Sequence, residues 1–221
     1  MDAIRLRPGI SYCRFPGRAI VLDVDRDRYW QVSDRVGAAL DRVARGDGTR
    51  LEPEDVAMLE DLGLVERAQG DASAAPAADI ASPATSATEQ EVIGGRFQLA
   101  EALEVAHLSI AARRLVRRLP LRTLLDGVMR SRSLGRGSEE TDVILVAQHF
   151  HRYRRLVPLP PLCLPDTIAF LRFAGRRGCS PHLVFGVEAW PFAAHCWAQA
   201  GDCALNDALD HVRSFSPILV L

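Results

Sequence analysis

Two α+β units joined by a low-complexity tether are predicted from three observations. Residues 1–68 run through short apolar segments punctuated by turn residues, then switch to helical periodicity. Residues 69–92 are rich in Ala, Ser, Thr and Pro and contain no aromatic residue, so they cannot bury enough surface to offset the entropy of ordering them. Residues 93–221 begin with helical patterns and end in β-branched, apolar runs, the order expected of helices packed on an antiparallel sheet.

In the first unit, Ile10 to Phe15 forms a strand that closes at Pro16-Gly17. Arg18 to Val24 is a second strand, and Tyr29 to Val32 a third after the polar turn from Asp25 to Arg28. Ser33 or Asp34 caps a helix whose apolar positions Val36, Ala39, Leu40 and Val43 share one face. A further helix starts at Pro53 and stops at Gly63, with Val56, Leu59 and Leu62 inward. The order is a small three-stranded sheet followed by helices.

In the last unit, Leu99, Leu103, Ala106 and Ile110 lie at helical spacing on an element that ends before Pro120. A second helix covers Thr123 to Arg132. Gly135-Arg136-Gly137 breaks the chain, and Ser138 with Glu139 and Asp142 opens a third helix through Phe150. After Pro158-Leu159-Pro160-Pro161, a helix runs from Cys163 to about residue 176. Strands are expected at Leu183 to Val187, Ala193 to Gln199, Cys203 to Asn206 and Ile218 to Val220. Arg113, Arg114, Arg117, Arg118, Arg152, Arg154 and Arg155 could meet an anionic partner, but a solvated helix face accounts for them more simply.

The chain has 221 residues, 48% hydrophobic and 25% charged, with a formal net charge of −1, so its overall charge gives no reason to expect a nucleic-acid partner. No apolar run reaches the roughly 20 residues that span a bilayer, and the N-terminus lacks a signal-peptide core. No membrane association and a cytoplasmic location are expected. There is no P-loop. Five cysteines, an odd number without a C-x-x-C pair, argue against a disulfide framework or a zinc knuckle, so no metal or cofactor is expected.

One cysteine stands out. Cys163 lies where proline-rich sequence gives way to a helix, so its sulfur faces unpaired first-turn amides that favour the thiolate and can hold an oxyanion. His195 lies on a strand and Asp207 on the next, giving a candidate nucleophile, base and orienter. A three-residue loop, Ala200 to Asp202, would set His195 opposite Asp207 on one face. A regular two-residue loop would put them on opposite faces and remove the triad, because strand side chains alternate. Taken singly, the same residues fit a buried packing cysteine, a core histidine and a turn aspartate.

Helix–Cys, strand–His, strand–Asp is the order of transglutaminase-like cysteine hydrolases. Cys163-Leu164, Gly186-Val187, Pro191-Phe192-Ala193-Ala194-His195-Cys196-Trp197 and Asn206-Asp207 resemble, more narrowly, the leader peptidases of lasso peptide biosynthesis. Residues 1–68 resemble the winged-helix-like element of those systems that recognises leader peptides, here in the fused arrangement. The resemblance implies Cys163 as nucleophile, His195 as base and Asp207 as third member of a cysteine endopeptidase. It implies a ribosomal precursor peptide as substrate and a separate ATP-using cyclase, similar to asparagine synthetase, as partner. The leader would add to the third strand at Tyr29, Trp30, Gln31 and Val32, opposite Val56, Leu59 and Glu60. The family often has His-Ala-Trp-Val-Glu where this chain has His195-Cys196-Trp197-Ala198-Gln199, so no carboxylate stands at 199. Thr167 replaces a common serine and keeps its hydroxyl. Two other functions fit the same sequence: a non-catalytic scaffold delivering precursor to the cyclase, and a transglutaminase-like amidase with another substrate.

Overall fold

Turn chemistry and apolar patterning divide the chain in a computed structural model that describes residues 3–68, 80–90, 96–133 and 140–221. Residues 69–79 and 91–92 of the expected tether, and the helix break and start at Gly135-Arg136-Gly137 and Ser138, lie outside the described residues. The chain separates into two units, residues 1–79 and 80–221.

The first unit runs β1 (Ala3–Leu6), β2 (Ile10–Phe15), β3 (Arg18–Asp23), β4 (Arg28–Ser33), α1 (Asp34–Ala44), α2 (Pro53–Asp61) and β5 (Val65–Ala68). Strands β2, β3 and β4 form the expected antiparallel sheet with β3 central. Gly17, at φ 74°, makes the tight turn between the first two. The turn after β3 is organised by Asp23, whose buried carboxylate accepts from the amides of Asp25 (3.0 Å) and Arg26 (3.1 Å) and pairs with Arg7 and Arg26. A buried carboxylate requires that degree of satisfaction. Ser33 caps α1 by accepting from Val36 N at 3.4 Å, and Pro53 opens α2. Val21, Val32, Val36, Leu40, Val43, Leu59 and Leu64 share the core with Val56. The pairing of β1 with β5 was not expected, since each strand has only four residues.

Strand β4 is a sheet edge, and a groove of about 600 Å³ lies along it. Trp30, Gln31 and Val32 line one side, and Glu54, Ala57, Met58 and Asp61 of α2 the other. This corrects the expected facing set. Leu59 and Val56 point into the core, while Glu60 turns away to pair with Arg67 at 2.8 Å. The strand's own core residue, Val32, and the helical phase of α2 decide this, because Leu59 must meet α1 and the sheet.

The second unit runs β6 (Thr85–Ser86), α3 (Leu99–Arg118), α4 (Leu121–Ser133), α5 (Glu140–Arg154), α6 (Cys163–Gly175), β7 (His182–Ala189), β8 (Phe192–Ala200), β9 (Cys203–Ala204), α7 (Leu209–Arg213) and β10 (Ser216–Val220). Helix α6 is apolar nearly all round and is correspondingly buried, touching α3, α4, α5 and β8. Phe150 of α5 lies 5.5 Å, ring to ring, from both Phe170 and Phe173 of α6. The sheet order is β10-β7-β8-β9-β6, antiparallel except where β6 joins β9.

Residues 80–90, expected in the tether, belong to this unit. The amides of Ala84 (2.7 Å) and Thr85 (3.2 Å) donate to Asp202 O, and Ala87 N donates to Ala204 O at 2.8 Å. Ser86 and Ala87 are buried. Gln199, also fully buried, donates to Ala81 O at 2.7 Å and accepts from Trp197 Nε1 at 2.9 Å.

Gly186 pairs with His195 in the β7–β8 ladder, and a Cβ there would lie 2.7 Å from Phe215 Cβ and 2.7 Å from the Trp197 ring. Gly186→Ala should therefore displace Trp197 and cost about 1–3 kcal/mol, read as a lowered midpoint in denaturant unfolding of the second unit's tryptophan signal. An unchanged midpoint would show that the close packing is not limiting.

Candidate active site

Extended backbone at Leu162 turns into helix at Cys163, with Pro165 in the first turn where a missing amide hydrogen costs nothing. Asp166 reaches back to accept from Leu162 N at 3.1 Å. Arg154, at the end of α5, holds that carboxylate with two bonds, Nε to Oδ1 at 3.0 Å and a second nitrogen to Oδ2 at 2.9 Å. The same guanidinium donates to Leu159 O at 3.2 Å and, longer, to Val157 O and Pro160 O at 3.4 Å. One arginine of the expected solvated face thus ties α5, the proline-rich approach and the helix start together. Cys163 itself is exposed, and the backbone amides at the start of α6 lack partners within the helix.

Strand β8 brings His195 to this helix start. The ring lies over Trp197 (centroids 6.2 Å, 18° between planes) and beside Phe215 at 5.1 Å, so its side chain is only 11% exposed. Nε2 donates to Asp207 Oδ2 at 2.5 Å, which leaves Nδ1 for Cys163, a near enough neighbour to influence the ring's ionisation.

The three expected residues meet, but by a different route. The β8–β9 turn is the regular two-residue one, with Ala200 opposite Cys203 and Gln199 opposite Ala204. Continued, that register would set Asp207 opposite Cys196 and remove the contact. Instead β9 stops after two residues, and only Leu205 N adds one more bond, to Ala198 O at 2.8 Å. Asn206 then replaces the ladder with its side chain, accepting from Ala198 N at 2.6 Å and donating to Thr167 Oγ1 at 2.8 Å. Asp207 leaves the strand and swings to His195. Its carbonyl accepts from Ser86 Oγ (2.6 Å) and Thr88 Oγ1 (3.2 Å), which pin the bend.

The second cysteine here was not anticipated. Cys196, buried, lies near enough to Cys163 to influence its ionisation, and its carbonyl accepts from Thr167 Oγ1 at 3.4 Å. That influence, then that of His195, outweigh burial and lower the Cys163 thiol to about 4. Cys196 pays the converse and is held well above an ordinary thiol by Cys163 and by burial. Burial disfavours charge on His195, but the bond to Asp207 and the influence of Cys163 prevail and raise it to about 9. Burial likewise opposes ionisation of Asp207, and hydrogen bonds from His195, His211 and Ala208 N override it, leaving its carboxyl below the usual range. The resting site is therefore a thiolate–imidazolium pair with a carboxylate behind it. Such a thiolate can attack a carbonyl carbon, with the first-turn amides of α6 placed to receive the oxyanion.

Ser86, Thr88, Asn206, Arg154 and His211 complete the surroundings. Of these, Asn206 stood in the Asn206-Asp207 motif and Arg154 among the named arginines, while Ser86, Thr88 and His211 were not singled out by the sequence. Ser86 approaches through a parallel strand pairing that no local pattern encodes. Donor atoms of His195, Asp207 and His211 lie within 4.8 Å of one another, and both histidines are engaged with the carboxylate in a proton-sharing cluster. Among the described residues no helix is long and apolar enough to cross a membrane.

A family model described as the Transglutaminase-like superfamily matches residues 106–220, which takes in Cys163, His195 and Asp207 and none of the first unit. The chain is also similar to the Microcin J25-processing protein McjB of Escherichia coli, 39% identical over 46 residues. That similarity covers 21% of this chain and 22% of that protein. No solved structure gives a significant match.

The ionisation of the pair sets its pH dependence. The thiolate forms as pH rises through about 4, and the imidazolium is lost as it rises through about 9, so the reactive pair occupies the interval between. Alkylation of Cys163 by iodoacetamide, followed by peptide mapping, should persist well below pH 7. In Cys196→Ala its acid limb should move upward, because the largest support of the thiolate is gone; an unmoved limb would remove Cys196 from the site's electrostatics.

Proposed function

Because the chain belongs to the transglutaminase-like superfamily, we propose that it is a cysteine endopeptidase that removes the leader from a ribosomal precursor peptide in lasso peptide biosynthesis. The observation that carries this reading is the convergence of Cys163, His195 and Asp207 within the matched region. The partial likeness to a microcin-processing protein and the sequence resemblance supply the substrate class.

In the proposed reaction the Cys163 thiolate attacks the carbonyl carbon of the bond between leader and core. The oxyanion is received at the start of α6, through the backbone amides of Cys163 and Leu164. His195 Nδ1–H gives its proton to the leaving nitrogen as the C–N bond breaks, freeing the core peptide's amine and leaving a thioester on Cys163. Water then attacks the thioester while His195 takes its proton, and the leader departs with a new carboxylate. Asp207 keeps Nε2 protonated throughout and stabilises the charged ring. The freed amine is the group a separate ATP-using cyclase would join to an acidic side chain.

The first unit offers a place for the leader. Edge strand β4 has backbone groups available for an added strand, and the groove beside it provides apolar contact from Trp30, Val32, Ala57, Met58 and Leu62. Holding the leader on the same chain as the peptidase raises its effective concentration at Cys163.

Cys163→Ala should abolish cleavage of a leader-bearing lasso precursor peptide, followed by mass spectrometry, while leaving leader affinity unchanged. Cleavage at full rate in that variant would sink the peptidase reading. Met58→Glu on the groove wall should weaken leader binding about tenfold or more in fluorescence anisotropy; unchanged affinity would take the leader away from β4.

A further inference from the structure

His211 touches Asp207 on the side away from the base. Its Nδ1 lies 3.1 Å from Asp207 Oδ1, while Oδ2 takes His195 Nε2. Oδ1 also accepts from Ala208 N at 2.8 Å, so each carboxylate oxygen has its own partners. The two imidazoles are close, with centroids 4.5 Å apart, and Phe215 lies against both, edge-on to His211 at 5.4 Å.

We propose that His211 is a positioning residue for the His195–Asp207 pair, donating from Nδ1–H to Asp207 Oδ1 and so fixing the carboxylate plane that His195 meets. This rests on the reading of Cys163, His195 and Asp207 as the reacting groups. Asp207 needs such a brace because it lies beyond the end of β9, where no ladder holds its side chain. The backbone is held by Ser86 and Thr88 at the carbonyl, but among the described residues only Ala208 N and His211 restrain the carboxylate apart from His195 itself. Without His211 the carboxylate has one fewer donor and is freer to turn, and the imidazolium loses part of its support. The thiolate, which depends on that imidazolium, then becomes harder to form.

The charged groups around His211 are few. Asp207 and His195 face it, with Cys163 behind His195. Asp210 and Arg213 flank it on α7; Arg213 Nε is taken by Pro83 O at 2.9 Å. Glu89, ahead of α7, accepts from Leu209 N at 2.9 Å.

The test is the pH profile of Cys163 alkylation in the full-length protein without any peptide, for wild type, His211→Ala and His211→Asn. Asn can present an amide N–H near the place of Nδ1–H. In His211→Ala the acid limb should move up by about one pH unit, a tenfold change in the ionisation constant of the thiol. His211→Asn should restore the wild-type limb in large part. A merely structural role would lower the unfolding midpoint without moving the limb. A low wild-type limb that stays put in His211→Ala overturns the proposal for His211 alone. A wild-type limb at ordinary thiol pH overturns both this proposal and the triad on which it rests.

Discussion

The start of α6 has to meet β8 at His195 and Cys196, because these two neighbours lower the Cys163 thiol against the effect of burial. Much of the second unit can be understood as holding that meeting in place. Helix α6 is buried along its length by α3, α4, α5 and the sheet, so it cannot slide without opening the core around Ile168, Phe170 and Phe173. Its first turn is fixed separately, through Asp166 and Arg154. Core packing thus sets the axis of the helix, and a charge-assisted clamp sets where its chain enters. Arg154 and Asp166 are largely withdrawn from water, their side chains 12% and 17% exposed, so losing one partner would leave the other's charge poorly compensated.

Strand β8 supplies two different services from adjacent residues. His195, Trp197 and Gln199 alternate along one face, and Cys196 and Ala198 along the other. The first face surrounds the imidazole with Trp197 and Phe215 and ties the strand to residues 80–90 through Gln199. The second brings a small thiol against Cys163. Glycine at 186 is what allows Trp197 and Phe215 to close over the neighbouring strand. A glutamine at 199 suits this arrangement: with both polar ends hydrogen-bonded inside the core, it carries no charge to be compensated there.

The helices and most strands were legible because periodicity survives without knowledge of partners. Ser33, Pro53, Pro120 and the prolines before Cys163 marked boundaries through local backbone chemistry. The positions of Cys163 and His195 were legible for the same reason: one lies at a helix start, the other on a strong strand. The route of Asp207 was not, because it depends on where β9 stops, and Asn206 stops it by an interaction with Ala198 and Thr167 across three elements. Residues 80–90 resembled the tether by composition, yet a two-residue strand, bonds to the β8–β9 turn and side-chain bonds at Ala81, Pro83, Ser86, Thr88 and Glu89 tie them to the second unit. On α2, periodicity placed Val56 and Leu59 inward, where they lie, but also Leu62, which is exposed and lines the groove; the facing set of Val56, Leu59 and Glu60 came from the resemblance and differs from the groove lining. Cys196 looked like packing, which by burial it is; its chemistry comes from the neighbour.

The ionisation state changes the part His195 plays first. A triad read from sequence casts the histidine as a base that removes the nucleophile's proton. Here that transfer has already occurred over the interval from about pH 4 to about pH 9, so in the proposed cleavage His195 enters as an acid and gives its proton to the leaving amine. The arrangement has a cost, since a thiolate stabilised this strongly is a weaker intrinsic nucleophile than one with an ordinary ionisation. What it secures is a proton poised at the step where an amide is hardest to break, departure of the amine. The carboxylate of Asp207, ionised and bonded to Nε2, matters most at that same step, because it governs how readily Nδ1 releases its proton. Support for Asp207 therefore tunes the acid as much as it stabilises the ion pair, and an over-braced carboxylate would hold the proton too tightly for the amine to take.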